Sequence, residues 1–339
     1  MTPTICHPIC SLRIWTLSAA VLLGAGLHLG AQELTVLGGV LPKTDSQKSS
    51  YTWQVDYRQD FYRNLAGSIA YINEGHLPAH HRDGTAWELW GRLPFDGDRF
   101  SVSLGLGAYY YFDTQPLPGG DTADVHGTAL ITSLALNGYL SNRWFYRFNY
   151  NRISPTGQIK VNTLMAGAGF WFGRDKKPTP GKLGDAPDEK AYVSERELTI
   201  YGGQSVVNTF LSPKARAYAG EYRQGVISHL DWTASAIYEG DPQIVRRSGV
   251  ATQLWAVNTF FDDRITVGAG LGHYVYLDHK HPASPGSRTP AAVAPLASLT
   301  LSTKISDHWI VRLIFDRVAS NYNRDSDIFL AGLGYRWGR

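Results

Sequence analysis

Shifting the chain by 165 positions lays its second half over its first, and a fold for this chain must therefore be built from one unit used twice. Arg99-Phe-Ser-Val-Ser-Leu-Gly-Leu-Gly-Ala-Tyr-Tyr-Tyr-Phe-Asp113 falls over Arg264-Ile-Thr-Val-Gly-Ala-Gly-Leu-Gly-His-Tyr-Val-Tyr-Leu-Asp278, identical at eight of fifteen positions. At the same offset Glu74-Gly75 meets Glu239-Gly240, Leu89-Trp90 meets Leu254-Trp255, and Trp144, Arg147 and Arg152 meet Trp309, Arg312 and Arg317. Both copies finish alike, Ala166 to Arg174 against Ala331 to Arg339. The expected organisation is a unit over 32–174, a polar connector over 175–196 and a second unit over 197–339.

Within each unit the pattern has period two, the signature of strands with two unlike faces. Trp53, Val55 and Tyr57 alternate with Gln54, Asp56 and Arg58. Tyr146, Phe148 and Tyr150 alternate with Arg147, Asn149 and Asn151. Strands are expected near 33–41, 51–60, 64–74, 84–93, 99–113, 127–140, 143–153 and 161–173. The second copy repeats them near 197–207, 216–226, 230–239, 249–260, 264–278, 292–305, 308–318 and 326–338. Most run ~10 residues, the length that crosses a bilayer at a tilt. Alternation alone fits a soluble sandwich as well as a membrane barrel, which puts its apolar face outward.

Loop lengths separate the two. Connections at 61–63, 94–98 and 141–142 are short, while 41–50, 75–83, 114–126, 208–215 and 279–291 are longer. Short turns on one side and long loops on the other belong to outer-membrane barrels. Aromatic residues at strand ends (Tyr109, Tyr110, Tyr111; Trp144, Phe145; Phe170, Trp171, Phe172; Tyr335, Trp337) suit an interfacial girdle. An even strand count puts both termini on the short-turn, periplasmic side.

The first 31 residues read as a secretory signal: Arg13 precedes an apolar stretch, Leu17 to Leu27, and a small-residue site ends at Ala31. Both cysteines, Cys6 and Cys10, lie upstream, so a mature chain beginning near Gln32 has no thiol. A net charge of +3 with 18% charged residues gives no reason to expect a nucleic-acid partner. No nucleotide fingerprint, CxxC pair or phosphate-binding loop appears, and no cofactor is expected.

Gly332-Leu333-Gly334-Tyr335-Arg336-Trp337 resembles the aromatic-ended closing strand of Gram-negative outer-membrane proteins, although the chain finishes with Gly338-Arg339. That resemblance implies an outer-membrane location, outer-membrane lipids and lipopolysaccharide as neighbours, and barrel-assembly machinery as a partner. Eight strands close into a filled barrel, whereas sixteen enclose an aqueous lumen. Small inner-face residues, Ser101, Ser103, Gly105, Gly107, Gly270 and Gly272, favour a single sixteen-stranded ring over two rings of eight.

The inner-face charges are Asp56, Arg58, Glu88, Arg92 and Arg147, with Glu221, Arg223 and Arg312 in the second copy. In a wide barrel they line a pore open to small solutes; in a narrow one they form an internal salt-bridge network. His76, His80, His81 and Asp83 in one outer loop have the side chains to bind a divalent metal. The second copy has no histidine there, and His126, His273, His279 and His281 read as loop or interfacial residues. Arg147-Phe-Asn-Tyr-Asn-Arg-Ile-Ser154 and the closing strand resemble the outer-membrane lipid A deacylases. Where that family carries a His-x-Ser-Asn segment, this chain has Asn149-Tyr150-Asn151 and Ile314-Phe315-Asp316, so no catalytic residue carries over. The expectation is a non-enzymatic barrel acting as a diffusion channel or a structural surface protein, with a lipid-modifying hydrolase as the alternative.

Overall fold

The computed structural model describes residues 32–42, 49–62, 64–77, 79–117, 122–140, 143–172, 195–209, 211–227, 229–261, 263–280 and 291–338. The expected leader, and the connector except for its last two residues, lie outside them. The first half contains β1 (Gln32–Leu41), β2 (Ser50–Tyr62), β3 (Leu65–Leu77), β4 (His80–Phe95), β5 (Phe100–Pro116), β6 (Thr122–Tyr139), β7 (Trp144–Pro155) and β8 (Val161–Trp171). The second contains β9 (Arg196–Val207), β10 (Lys214–Ile227), β11 (Leu230–Gly240), β12 (Arg246–Phe260), β13 (Ile265–Lys280), β14 (Val293–Lys304), β15 (Trp309–Val318) and β16 (Ser326–Trp337).

Neighbouring strands pair antiparallel in chain order, and each set closes on itself. β1 pairs β8 from Glu33↔Trp171 to Val40↔Leu164, and β16 pairs β9 from Ser326↔Val207 to Trp337↔Arg196. The single ring of sixteen expected above is thus replaced by two rings of eight. The physical reason lies at the closing seams, where strongly coiled backbones approach closely. A Cβ on Gly39 would stand 2.0 Å from the Leu164 carbonyl oxygen, and one on Gly203 1.9 Å from that of Phe329. The small residues read as evidence of a wide lumen lie on β5 and β13 instead, where Gly105 and Gly270 leave room for the rings of Trp90 and Trp255 inside a narrow barrel.

Connections at one end of each barrel are two to four residues long: 63–64, 96–99 and 140–143, then 228–229, 261–264 and 305–308. Those at the other end are longer except between β3 and β4, and two expected loops are corrected. The loop expected over 75–83 is mostly strand, since β3 and β4 continue as a paired hairpin to Leu77↔His80. A bulge between Asn73 and His76 lets the ladder continue, with Gly75 at φ 67° and its N–H donating to Asn73 Oδ1 at 2.9 Å. β5 and β6 likewise extend through the expected 114–126 loop to Pro116↔Thr122.

Candidate functional site

Alternation decides what each barrel encloses. In β2, Thr52, Gln54, Asp56, Arg58 and Asp60 are buried while Tyr51 and Trp53 are exposed. In β4, Glu88, Trp90 and Arg92 are buried between Leu89 and Leu93, which are 55% and 64% exposed. All eight charges expected on the inner face are buried, including Glu221, Arg223 and Arg312. The same rule corrects the aromatic girdle: Tyr109, Tyr111, Phe145 and Trp171 are buried, and Trp144 stays outside.

Near the short-connection end of the first barrel, Glu33 on β1 joins two arginines. Arg92 lies 2.9 Å from one of its oxygens and Arg147 2.7 Å from the other. Arg147 also reaches Asp56 at 2.5 Å and Asn137 at 2.7 Å, and Arg92 reaches Asp60 at 3.0 Å. Arg58 makes no hydrogen bond through its guanidinium among the described residues. It lies instead over Trp90, 3.8 Å from the ring centroid, while the indole N–H donates to Ser68 Oγ at 2.8 Å. Glu88, buried one layer further in, lies beside Ser133.

The second barrel repeats the scheme. Glu197 accepts from Arg312 at 2.9 and 2.8 Å and from Arg336 at 3.0 Å. Arg223 pairs with Glu221 at 3.1 Å and Asp231 at 3.4 Å, and lies 4.4 Å from the Trp255 centroid. The Trp255 N–H donates to Thr233 Oγ1 at 2.9 Å.

A second ionic layer sits toward the long-connection end of each barrel. Arg82 clasps Glu74 at 2.9 and 2.6 Å, donates to the Ile159 carbonyl at 3.1 Å and lies 5.5 Å from the Tyr111 centroid. Arg247 clasps Glu239 at 3.2 and 2.9 Å, donates to the Arg324 carbonyl at 2.7 Å and lies 5.8 Å from the Tyr276 centroid. Sequence reasoning assigned no role to Arg82, Arg247 or Glu239, although the 165-residue repeat of Glu74 at Glu239 was visible. Between the layers of the first barrel, Asn149 donates to Asn151 at 2.6 Å and Asn151 to Gln54 at 3.0 Å. In the second barrel, Gln253 donates to Ser298 at 2.7 Å, and Ser298 bonds Asp316. Leu41, Ile72, Ile131 and Ile153 pack with Tyr109 and Tyr111 around the first barrel's upper layer.

The four-residue metal cluster expected at His76, His80, His81 and Asp83 is not assembled among the described residues. His80 and His81 are consecutive on β4 and take opposite faces. His80 Nδ1 lies 2.7 Å from Asp113, whose carboxylate also accepts from Gln115 at 2.9 Å. The His76 side chain is outside the described residues. Among those described, no group of three or more histidine, cysteine or carboxylate side chains is placed to hold a metal.

No family model matches the chain, and no curated protein matches its sequence. Solved structures do. The N-terminal β-barrel domain of Pseudomonas aeruginosa OprF is 11% identical, covers 42% of this chain and 98% of its own, and has a TM-score of 0.36. Ail, the attachment invasion locus protein of Yersinia pestis, is 16% identical over 42% of this chain and 99% of its own, with a TM-score of 0.33. The Neisserial surface protein NspA is 12% identical over 42% of this chain and 96% of its own, with a TM-score of 0.33.

Proposed function

We propose that the chain is a non-catalytic protein of the Gram-negative outer membrane whose two barrels are sealed bodies rather than channels. One observation carries the reading: the exposed and buried faces are inverted relative to a water-soluble protein. Ile200, Leu104 and Leu93 are 73%, 68% and 64% exposed, whereas Asp56, Arg58 and Arg147 are at most 1% exposed. In water, such a surface is an apolar patch far larger than soluble monomers present; in hydrocarbon it is the matching face. Trp144 against Phe170 at 5.2 Å and Trp309 against Tyr335 at 5.3 Å, near the short-connection ends, suit a headgroup boundary.

An eight-stranded ring has an interior just wide enough for side chains, and here arginine, tryptophan and tyrosine occupy it in two ionic layers. The inner charges therefore act as a structural network, and the diffusion-channel expectation gives way to a surface or anchoring role. Purified full-length protein should require detergent, migrate differently before and after boiling, and leave planar bilayers without steady ohmic steps. Stable conductance would defeat the sealed reading, and solubility without detergent would defeat the membrane reading.

A second reading, lipid hydrolysis, draws on the contact between His80 and Asp113, which orients an imidazole as a base is oriented. No serine or threonine hydroxyl is hydrogen-bonded to His80 among the described residues. Fatty-acid release from lipopolysaccharide, abolished by His80→Ala, would favour it.

A further inference from the structure

We propose that the outer wall of the first barrel seats one acyl chain of an anionic membrane lipid, with Arg152 meeting the headgroup phosphate. The inference rests on the membrane reading above. A groove of about 410 Å³ opens on this wall, lined by Gly38, Leu134, Leu136, Phe148, Leu164 and Ala166 among others. Its shape follows from the strand register. Leu136, Phe148, Ala166 and Gly38 form one outward row across β6, β7, β8 and β1, and Leu134, Tyr150, Leu164 and Val40 form the next. The bulky side chains of β6 and β7 stand against the small residues Ala166 and Gly38, and a Cβ on Gly38 would meet nothing within 4 Å. The result is an apolar trough over these two rows.

One row further, ~7 Å toward the long-connection end, the neighbours are Thr132, Arg152 and Asn162. Arg152 is exposed, and no carboxylate pairs with it among the described residues. Asn162 accepts from the Tyr150 hydroxyl at 2.9 Å. An unpaired guanidinium just beyond a hydrocarbon trough is placed where a lipid phosphate lies, and a planar fork of N–H donors suits phosphate oxygens.

The second barrel supplies the contrast. At the corresponding positions Arg317 is held by Asp327 at 2.7 and 3.1 Å. Phe315 and Phe329, 5.1 Å apart, stand where the first barrel has Tyr150 and Leu164. There the cation is neutralised and the trough is occupied by a ring.

Native mass spectrometry of the full chain released from detergent, titrated with phosphatidylglycerol or phosphatidylcholine, tests this. The expected result is one phosphatidylglycerol retained per chain in preference to phosphatidylcholine. Arg152→Gln should weaken that retention about five-fold, the loss of one cation near a membrane surface. Gly38→Leu, and independently Ala166→Leu, should abolish it by filling the trough, while Arg317→Gln should leave it unchanged. Equal retention of both lipids, equal effects of the two arginine variants, or retention unaffected by both trough variants would overturn the proposal. Failure of the membrane reading would be recognised separately, as wild-type protein that stays soluble without detergent.

Discussion

Glu33 and Glu197 each hold two arginines inside a closed ring, so each carboxylate is worth more to the fold than either partner alone. Glu33→Gln should destabilise the first barrel by about 3–5 kcal/mol, because Arg92 and Arg147 remain buried without their shared counter-charge. Urea unfolding in detergent measures it, and Lys160→Gln, exposed and outside the strands of the same barrel, supplies an unchanged control. Trp90→Phe removes the bond to Ser68 and the better ring beneath Arg58, and should cost about 1–2 kcal/mol in the same assay. Which side chains face inward was legible from period two, and Asp56, Arg58, Glu88, Arg92 and Arg147 follow from it. Which of them touch was not. Glu33 and Arg147 are 114 residues apart in sequence and meet across a closed barrel, and alternation fixes a face without fixing a partner. His80 and His81 show the converse: read as a loop they form a cluster, and once paired in a strand they must part.

At the scale of elements, the closing seam is one place where a single methyl group decides whether strands can pair. Gly38 and Gly39 are consecutive on β1, yet a Cβ on the first meets open space and one on the second meets the Leu164 carbonyl oxygen. Gly39→Val should leave the protein at its unfolded migration on gels without boiling, whereas Gly38→Val should fold and shift normally. Gly203→Val, against the Phe329 carbonyl oxygen, should have the effect of Gly39→Val in the second barrel. All sixteen strands were legible, because ten-residue alternation leaves little freedom, but the outer ends of two hairpins were not. The end of the β3–β4 hairpin was expected as a loop over 75–83, where polar residues and histidines break the alternation. In the folded chain Gly75 makes the bulge that lets pairing continue to Leu77↔His80.

For the whole molecule, the number of rings was the least legible feature, since a connector of 22 residues serves one hairpin of a large ring or a link between two small ones equally well. Pairing of β1 with β8 decides it, through contacts that no local pattern encodes. Each barrel has its own ionic layers and apolar clusters, so residues 32–172 and 195–338 produced separately should each refold in detergent and show heat-modifiable migration. Loss of that behaviour in either half would mean that closure depends on the other. The two seams are also near copies: Gly38-Gly39 pair with Ala166 and Met165, and Gly202-Gly203 with Ala331 and Leu330. Neither the edge nor the buried carboxylate distinguishes sharply between β8 and β16 as a mate for β1. Sequence separation does, because β1 and β8 close a much shorter loop than β1 and β16 would. Anything that delays the earlier ring from shutting gives the later strand its chance, and the competing product is a strand-exchanged species rather than an unfolded one.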